Sequence, residues 1–192
     1  MHQLEKTMST LEDLMAVPGD TKAELIDGEI YMMAPAVARH SSISGLLTTL
    51  LTSHFRNQRG PSDKDAWRII PEAWTLYDVH NSFVHDIAGY SRRELPRLPN
   101  LGPIHIKPKW VCEILSRSNA KNDTERKSAI LAQYSVPYYW LLDPRKKTLQ
   151  VFELGTGNMN YRLVCSVKKE DGVVRLLPFQ DLELDLQEIF ED

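Results

Sequence analysis

The chain has 192 residues, 42% of them hydrophobic and 26% charged, with a formal net charge of −3. That length suits one domain with a real core, and the slight acidic balance argues against a general nucleic-acid coat protein. The first residues carry no apolar signal-peptide core, and no run approaches the roughly 18 apolar residues that a membrane helix needs. Cys112 and Cys165 are isolated, without metal-ligand spacing, and read as buried thiols of a reducing compartment. A cytoplasmic protein with no membrane segment is expected.

Charge is unevenly distributed. Acids dominate from Met1 to Pro35 and over the last twelve residues, Asp181 to Asp192. Between Tyr90 and Lys127 the balance reverses, with Arg92, Arg93, Arg97, Lys107, Lys109, Arg117, Lys121, Arg126 and Lys127 against Glu94, Glu113, Asp123 and Glu125. That stretch is either a polyanion-facing surface or a solvated loop that happens to be basic.

Along the chain, Ser9-Thr10-Leu11-Glu12 predicts a capping box and a short helix ended by Pro18-Gly19. Ala23 to Met33 predicts a hairpin turning at Asp27-Gly28. Ile43, Leu46, Leu47, Leu50, Leu51 and Phe55 recur at the helical period, and Gly60-Pro61 breaks the helix. Trp67 to Tyr77 and Phe83 to Tyr90 are strand-like. Ser91 to Pro108 is a Pro-rich, basic loop, expected to be exposed. Trp110 to Leu115 is near-continuously apolar and expected to be buried on both faces. After a polar connection, Asn122 or Asp123 caps a helix running to about Tyr134. Val136 to Leu142 is another buried strand, ended by Asp143-Pro144. Thr148 to Leu154, Tyr161 to Val167 and Val173 to Leu177 form a meander, followed by a short acidic amphipathic tail. Tyr138-Tyr139-Trp140 reads as core and dimer surface. There is no internal repeat and no Gly-rich phosphate loop after a strand, which argues against nucleotide binding. The pattern is α/β with a mixed central sheet flanked by helices.

Charged groups inside apolar strand runs are the exception that demands a reason, because burying an unpaired carboxylate is costly. Asp86 lies in Phe83-Val84-His85-Asp86-Ile87-Ala88, and Glu113 in Trp110-Val111-Cys112-Glu113-Ile114-Leu115. On neighbouring strands they would repel unless a cation lay between them. Lys127 follows in the next helix. Two hard carboxylates suit Mg²⁺ or Mn²⁺, with the main-chain carbonyl of Ile114 as a further ligand, and an ammonium can stabilise charge on a phosphate. Metal-assisted phosphodiester cleavage needs that set. Each residue also has a plain structural alternative: Asp86 holding a turn or pairing with Arg92, Glu113 pairing with Lys127 alone, Lys127 pairing with Asp123 on its own helix. Glu24, beside the first hairpin, is an accessory candidate, with a solvated strand position as the preferred reading. His40 opens the long helix. Alternation sends His85 to the sheet face opposite Asp86, which favours a structural role. No zinc spacing, nucleophile elbow or catalytic cysteine context occurs.

The segments Ala23-Glu24-Leu25-Ile26-Asp27-Gly28-Glu29, His85-Asp86-Ile87, Cys112-Glu113-Ile114-Leu115-Ser116, Asp123-Thr124-Glu125-Arg126-Lys127 and Val136-Pro137-Tyr138-Tyr139-Trp140-Leu141-Leu142-Asp143-Pro144 resemble the Uma family of predicted restriction endonucleases, within the PD-(D/E)XK nuclease superfamily. The resemblance runs from about Leu11 to Leu177, and its last motif is rather specific. It implies a restriction-endonuclease-like fold, a single nuclease-like domain over residues 1–192, and metal-dependent DNA cleavage. Carried over by motif, Asp86 is the strand aspartate and Glu113 the second acid. The lysine usual two residues later is replaced by Leu115 and has moved to the next helix, as Lys127. The family usually has Pro where His85 stands, and often Gly where Ser135 stands. A homodimer is expected, since cutting both strands of DNA favours two-fold symmetry. Two rivals stay open: a catalytically silent DNA-binding or assembly module of the same fold, and a hydrolase of another phosphodiester, such as RNA or a cyclic nucleotide.

Overall fold

The computed structural model describes residues 8–18, 22–57, 67–116, 122–157 and 159–191. Elements run α1 (Leu11–Met15), β1 (Ala23–Ile26), β2 (Glu29–Met32), α2 (Ala38–Asn57), β3 (Trp67–Asp78), β4 (Asn81–Ser91), β5 (Trp110–Ile114), a π-helical turn (Asn122–Lys127), α3 (Ser128–Gln133), β6 (Tyr138–Asp143), β7 (Thr148–Leu154), β8 (Tyr161–Lys168), β9 (Val173–Leu176), β10 (Phe179–Asp185) and α4 (Leu186–Ile189). The helix and strand expectations up to β8 hold within a few residues. The first helix is capped one residue later than the Ser9–Glu12 reading: the Asp13 carboxylate accepts from Thr10 N–H and Oγ1–H. Gly19, the Gly60-Pro61 breaker and the capping side chains of Asn122 and Asp123 lie outside what is described.

Among the described residues, eight strands form one mixed sheet in the order β2-β1-β4-β5-β6-β7-β8, with β3 paired to β4. β5 and β6 are parallel, joined by a crossover through α3. The hairpins β1–β2, β3–β4 and β7–β8 are antiparallel. The first turns at Asp27 and Gly28, both at positive φ (51° and 69°), as a two-residue hairpin turn requires. The sequence placed Val173–Leu177 in the final meander. Instead, β7 and β8 close the large sheet, while β9 pairs with β10 in a separate hairpin. The acidic tail supplies β10: Leu182 and Leu184 alternate with Asp181, Glu183 and Asp185, which is a strand period.

Each sheet face has its own apolar layer. On one, Ile43, Leu47, Leu51 and Phe55 of α2 pack on Trp110, Cys112, Ile114, Trp140 and Leu142. Phe179 of the C-terminal hairpin fills this layer, its ring 4.9 Å from Trp67, 5.0 Å from Trp110 and 5.7 Å from Trp140. On the other, Ile130 and Leu131 of α3 cover Ala88, Val111, Tyr139 and Leu141. Tyr139 and Trp140 are therefore core. The loop after β4 is not simply exposed. Ile104 is buried and bridges to β3, exchanging backbone hydrogen bonds with Trp74 and Leu76.

Ser135, after α3, has φ +57°. This explains why a glycine suits that position, since an L side chain is strained there by about 1–2 kcal/mol. Ser135→Gly should stabilise the protein by roughly 0.5–1 kcal/mol after glycine's larger entropy loss on folding. A thermal midpoint that fails to rise would reject this account.

Candidate active site

A strand has two edges. β3 occupies one edge of β4 along nearly its whole length, from Asn81 to Ser91. The other edge is divided: β1 meets it at Ser82, and β5 meets it at Ile87, Ala88 and Gly89. Between these contacts the sheet forks, leaving Phe83 to Asp86 without a strand partner on that side. Buried backbone N–H groups there need acceptors. Carboxylates supply them. Glu24 Oε1 on β1 accepts from Val84 N–H at 3.0 Å, and Glu113 Oε2 on β5 accepts a longer bond from Asp86 N–H at 3.4 Å. In return, Asp86 Oδ2 accepts from Ile114 N–H at 2.7 Å.

The strands also change face here. On β3, Ile70 and Ala73 pack into the same layer, and on β4 Phe83 and Ala88 do so. Strict alternation forbids both pairs. The step is taken up at Glu72, with φ +49°, and opposite it at Asp86. His85 therefore faces the α3 side, while Asp86 reaches toward α2.

Asp86, Glu113 and Lys127 are all buried, as are Glu24, His40 and His85. Lys127 Nζ donates to Glu24 Oε1 at 2.9 Å and lies 5.5 Å from the Phe83 ring centroid. Glu24 is thus a buried partner of the lysine and not a solvated strand residue. Lys127 thus has a long-range partner in Glu24, while the Asp123 side chain considered from sequence lies outside what is described. His40 Nε2 lies 3.0 Å from Asp86 Oδ2. His85 Nδ1 lies 2.7 Å from Glu113 Oε1, and its Nε2 lies 2.8 Å from the Tyr77 hydroxyl. Arg92 donates to the Trp67 carbonyl instead of holding Asp86. The structure brings the three sequence candidates and Glu24 to one fork. The contacts of His40 and Tyr77 there had no sequence signal beyond His40 opening its helix.

Burial, and secondarily the Lys127 charge, hold the His85 imidazole well below its ordinary pKa of 6.5. Burial, with the neighbouring Tyr90, Tyr161 and Glu113, holds the Tyr77 hydroxyl well above its usual range, so it remains a donor. Cys112 is likewise pushed up, by burial and then by Asp86 and Glu113. Three carboxyl groups share the fork with one ammonium, an arrangement suited to a further cation. Among the described residues no group of three or more His, Cys, Asp or Glu side chains forms a metal cage. The Asp86 and Glu113 carboxylates are hard oxygen donors of the type Mg²⁺ takes at phosphate-handling sites, where one or two carboxylates serve with water and phosphate. The Ile114 N–H faces Asp86, and in extended backbone its carbonyl faces the same edge.

The basic stretch is largely engaged internally. Lys107 donates to the Leu76 and Tyr77 carbonyls, Lys109 pairs with Glu94, and Arg126 pairs with Asp27 and Glu29. Arg93 and Arg97 are exposed; Arg117 and Lys121 lie outside the described residues.

A forked mixed sheet with acids on adjacent strands and a crossover helix behind them defines the restriction-endonuclease-like class of α/β fold. The chain belongs to the Uma2 family, described as "Putative restriction endonuclease", whose profile matches residues 9–187. In architecture it is similar to a crystal structure from Anabaena variabilis described as "a putative nuclease belonging to DUF820". That likeness has a TM-score of 0.72 at 23% identity, covering 94% of this chain and 97% of the other. No curated protein matches. No helix among the described residues is long and apolar enough to cross a membrane.

Two outcomes follow. The folded pKa of His85 lies below its unfolded value, so the unfolded chain takes up the proton first. The resulting stability is full above pH 6.5 and is lost as pH falls through 6.5 toward the folded pKa. Melting temperature should therefore fall more steeply below pH 6.5 in wild type than in His85→Asn; parallel curves would reject a buried neutral imidazole. Removing the ammonium strands the Glu24 charge, so Lys127→Met should cost about 3–5 kcal/mol in denaturant unfolding. Adding Glu24→Gln should recover part of that loss.

Proposed function

We propose that this protein is a metal-dependent DNA endonuclease. The observation that carries the reading is the fork itself: carboxyl groups from three strands meet inside the sheet with one ammonium among them. Family membership supports phosphodiester hydrolysis as the reaction class.

In this reading Asp86 and Glu113 hold Mg²⁺ or Mn²⁺ together with the Ile114 carbonyl. Bound there, the ion supplies Lewis acidity toward a phosphoryl oxygen and lowers the pKa of water. Lys127, anchored by Glu24, offsets charge growing on the phosphate. Glu24 keeps that ammonium fixed at the α3 side of the fork. The low dielectric of the buried fork strengthens each of these interactions. The substrate is double-stranded DNA, approached from the Tyr90–Lys127 side through Arg93 and Arg97, and a two-fold dimer would cut both strands.

One observation favours the catalytically silent alternative: several members of the basic stretch are satisfied within the protein. Plasmid cleavage separates the two. Wild type with Mg²⁺ or Mn²⁺ should nick supercoiled DNA. Glu113→Ala and Asp86→Asn should each lose about 10³-fold or more, as expected when roughly 4 kcal/mol of transition-state stabilisation is removed. Cleavage that survives Glu113→Ala rejects the site. Salt-sensitive DNA binding with no cleavage under any divalent ion selects the silent module.

A further inference from the structure

We propose that His85 is a positioning residue for Glu113. Its Nδ1–H fixes the carboxylate in the fork, and the Tyr77 hydroxyl sets the imidazole tautomer from behind. The proposal deepens the cleavage reading above and rests on Glu113 being an ion ligand in it.

The donor and acceptor capacities of the three groups set the direction of each bond. A carboxylate only accepts, so the proton between His85 Nδ1 and Glu113 Oε1, 2.7 Å apart, belongs to the imidazole. A neutral imidazole then has only a lone pair at Nε2. The Tyr77 hydroxyl, 2.8 Å away, is the donor that pairs with it. The chain runs one way, from Tyr77 O–H to His85 and from His85 to Glu113.

The other carboxylate oxygen, Oε2, takes the Asp86 N–H at 3.4 Å. Both oxygens of Glu113 are therefore held, one by β4 backbone and one by a ring. A glutamate has three side-chain torsions, so an unheld carboxylate in the fork would sample several directions. The ring edges against Phe83, at 5.2 Å, and Tyr77, at 5.9 Å, would be served as well by an apolar ring. Full burial of a polar imidazole is tolerated because both nitrogens are bonded. Carboxylates that ligate ions are commonly oriented by such partners, whose loss weakens ion binding by about 10–100-fold.

The test combines imidazole ¹⁵N NMR with Mn²⁺ titration followed by electron paramagnetic resonance of the free ion. The proteins are wild type, His85→Asn, His85→Leu, Tyr77→Phe and Glu113→Gln. Wild-type His85 should be the neutral Nδ1–H tautomer, with its resonance shifting in Glu113→Gln. His85→Leu should bind Mn²⁺ about 10–100-fold more weakly. His85→Asn, whose amide N–H stands where Nδ1–H was, should recover most of the loss. In the plasmid assay the defect should appear in the Mn²⁺ concentration for half-maximal rate, with the rate at saturating ion less affected. If His85→Leu fails to fold, the other pair decides: Asn close to wild type and Tyr77→Phe weaker support the proposal, and equal affinity overturns it. An Nε2–H tautomer, or unchanged Mn²⁺ affinity in His85→Leu, also overturns it. Wild type that takes up no Mn²⁺ sinks the cleavage reading instead; the imidazole spectrum and its response to Glu113→Gln then decide the orientation of Glu113 alone.

Discussion

The site depends on a missing stretch of β-ladder. β1 and β5 share one edge of β4 and leave a gap between Ser82 and Ile87. In a buried sheet such a gap would orphan backbone donors, at a cost comparable to lost hydrogen bonds. Val84 and Asp86 present those donors, and Glu24 and Glu113 accept from them. The same interactions that close the sheet thus place three acids within it. Removing the acids for functional reasons would undo a structural solution, and this couples fold and site more tightly than a pocket built on surface loops.

The acids are tolerated only because each has donors. Asp86 Oδ2 has the Ile114 N–H and faces His40, Glu113 has His85 and the Asp86 N–H, and Glu24 has Lys127 and the Val84 N–H. Such networks are costly to break at one point, because the partner left behind remains buried and charged. Their value lies in geometry. Side chains held from two sides do not need to reorganise when charge develops nearby, which is the condition for strong electrostatic stabilisation in a site of low dielectric.

Much of this was legible in the sequence. The apolar period of α2, the unbroken run of β5 and the anomaly of Asp86 and Glu113 within apolar strands pointed to the mixed fold and to two of the acids that meet at the fork. Glu24 was harder to read, since Ala23–Ile26 is a short strand beside a turn and only the fork buries its glutamate. Alternation did send His85 to the face away from Asp86. It gave no sign that Glu113 reaches the same face, or that both strands step at Glu72 and Asp86. The C-terminal strand went unrecognised because its acidic residues suggested a solvated tail, although their spacing of two was already that of a hairpin strand. Contacts between α2 and β4, such as His40 with Asp86, depend on how a helix crosses a sheet, and local pattern does not encode that.

The position of Lys127 shows how a helix can deliver a charge into a buried sheet edge. Lys127 sits on the same stripe of its helix as Ile130 and Leu131, three and four residues on, both buried against the sheet. Its side chain is therefore directed inward by the helical period alone. It ends the π-helical turn Asn122–Lys127, directly before α3. A lysine at position 115, where Leu115 stands, would reach the fork from the end of β5. Coming from the helix, the ammonium enters the fork from the α3 side, whereas His40 reaches Asp86 from the α2 side. The acids lie in the sheet and their partners come from both faces. A fork can accept that arrangement, whereas an unbroken ladder, with every edge group already paired, could not.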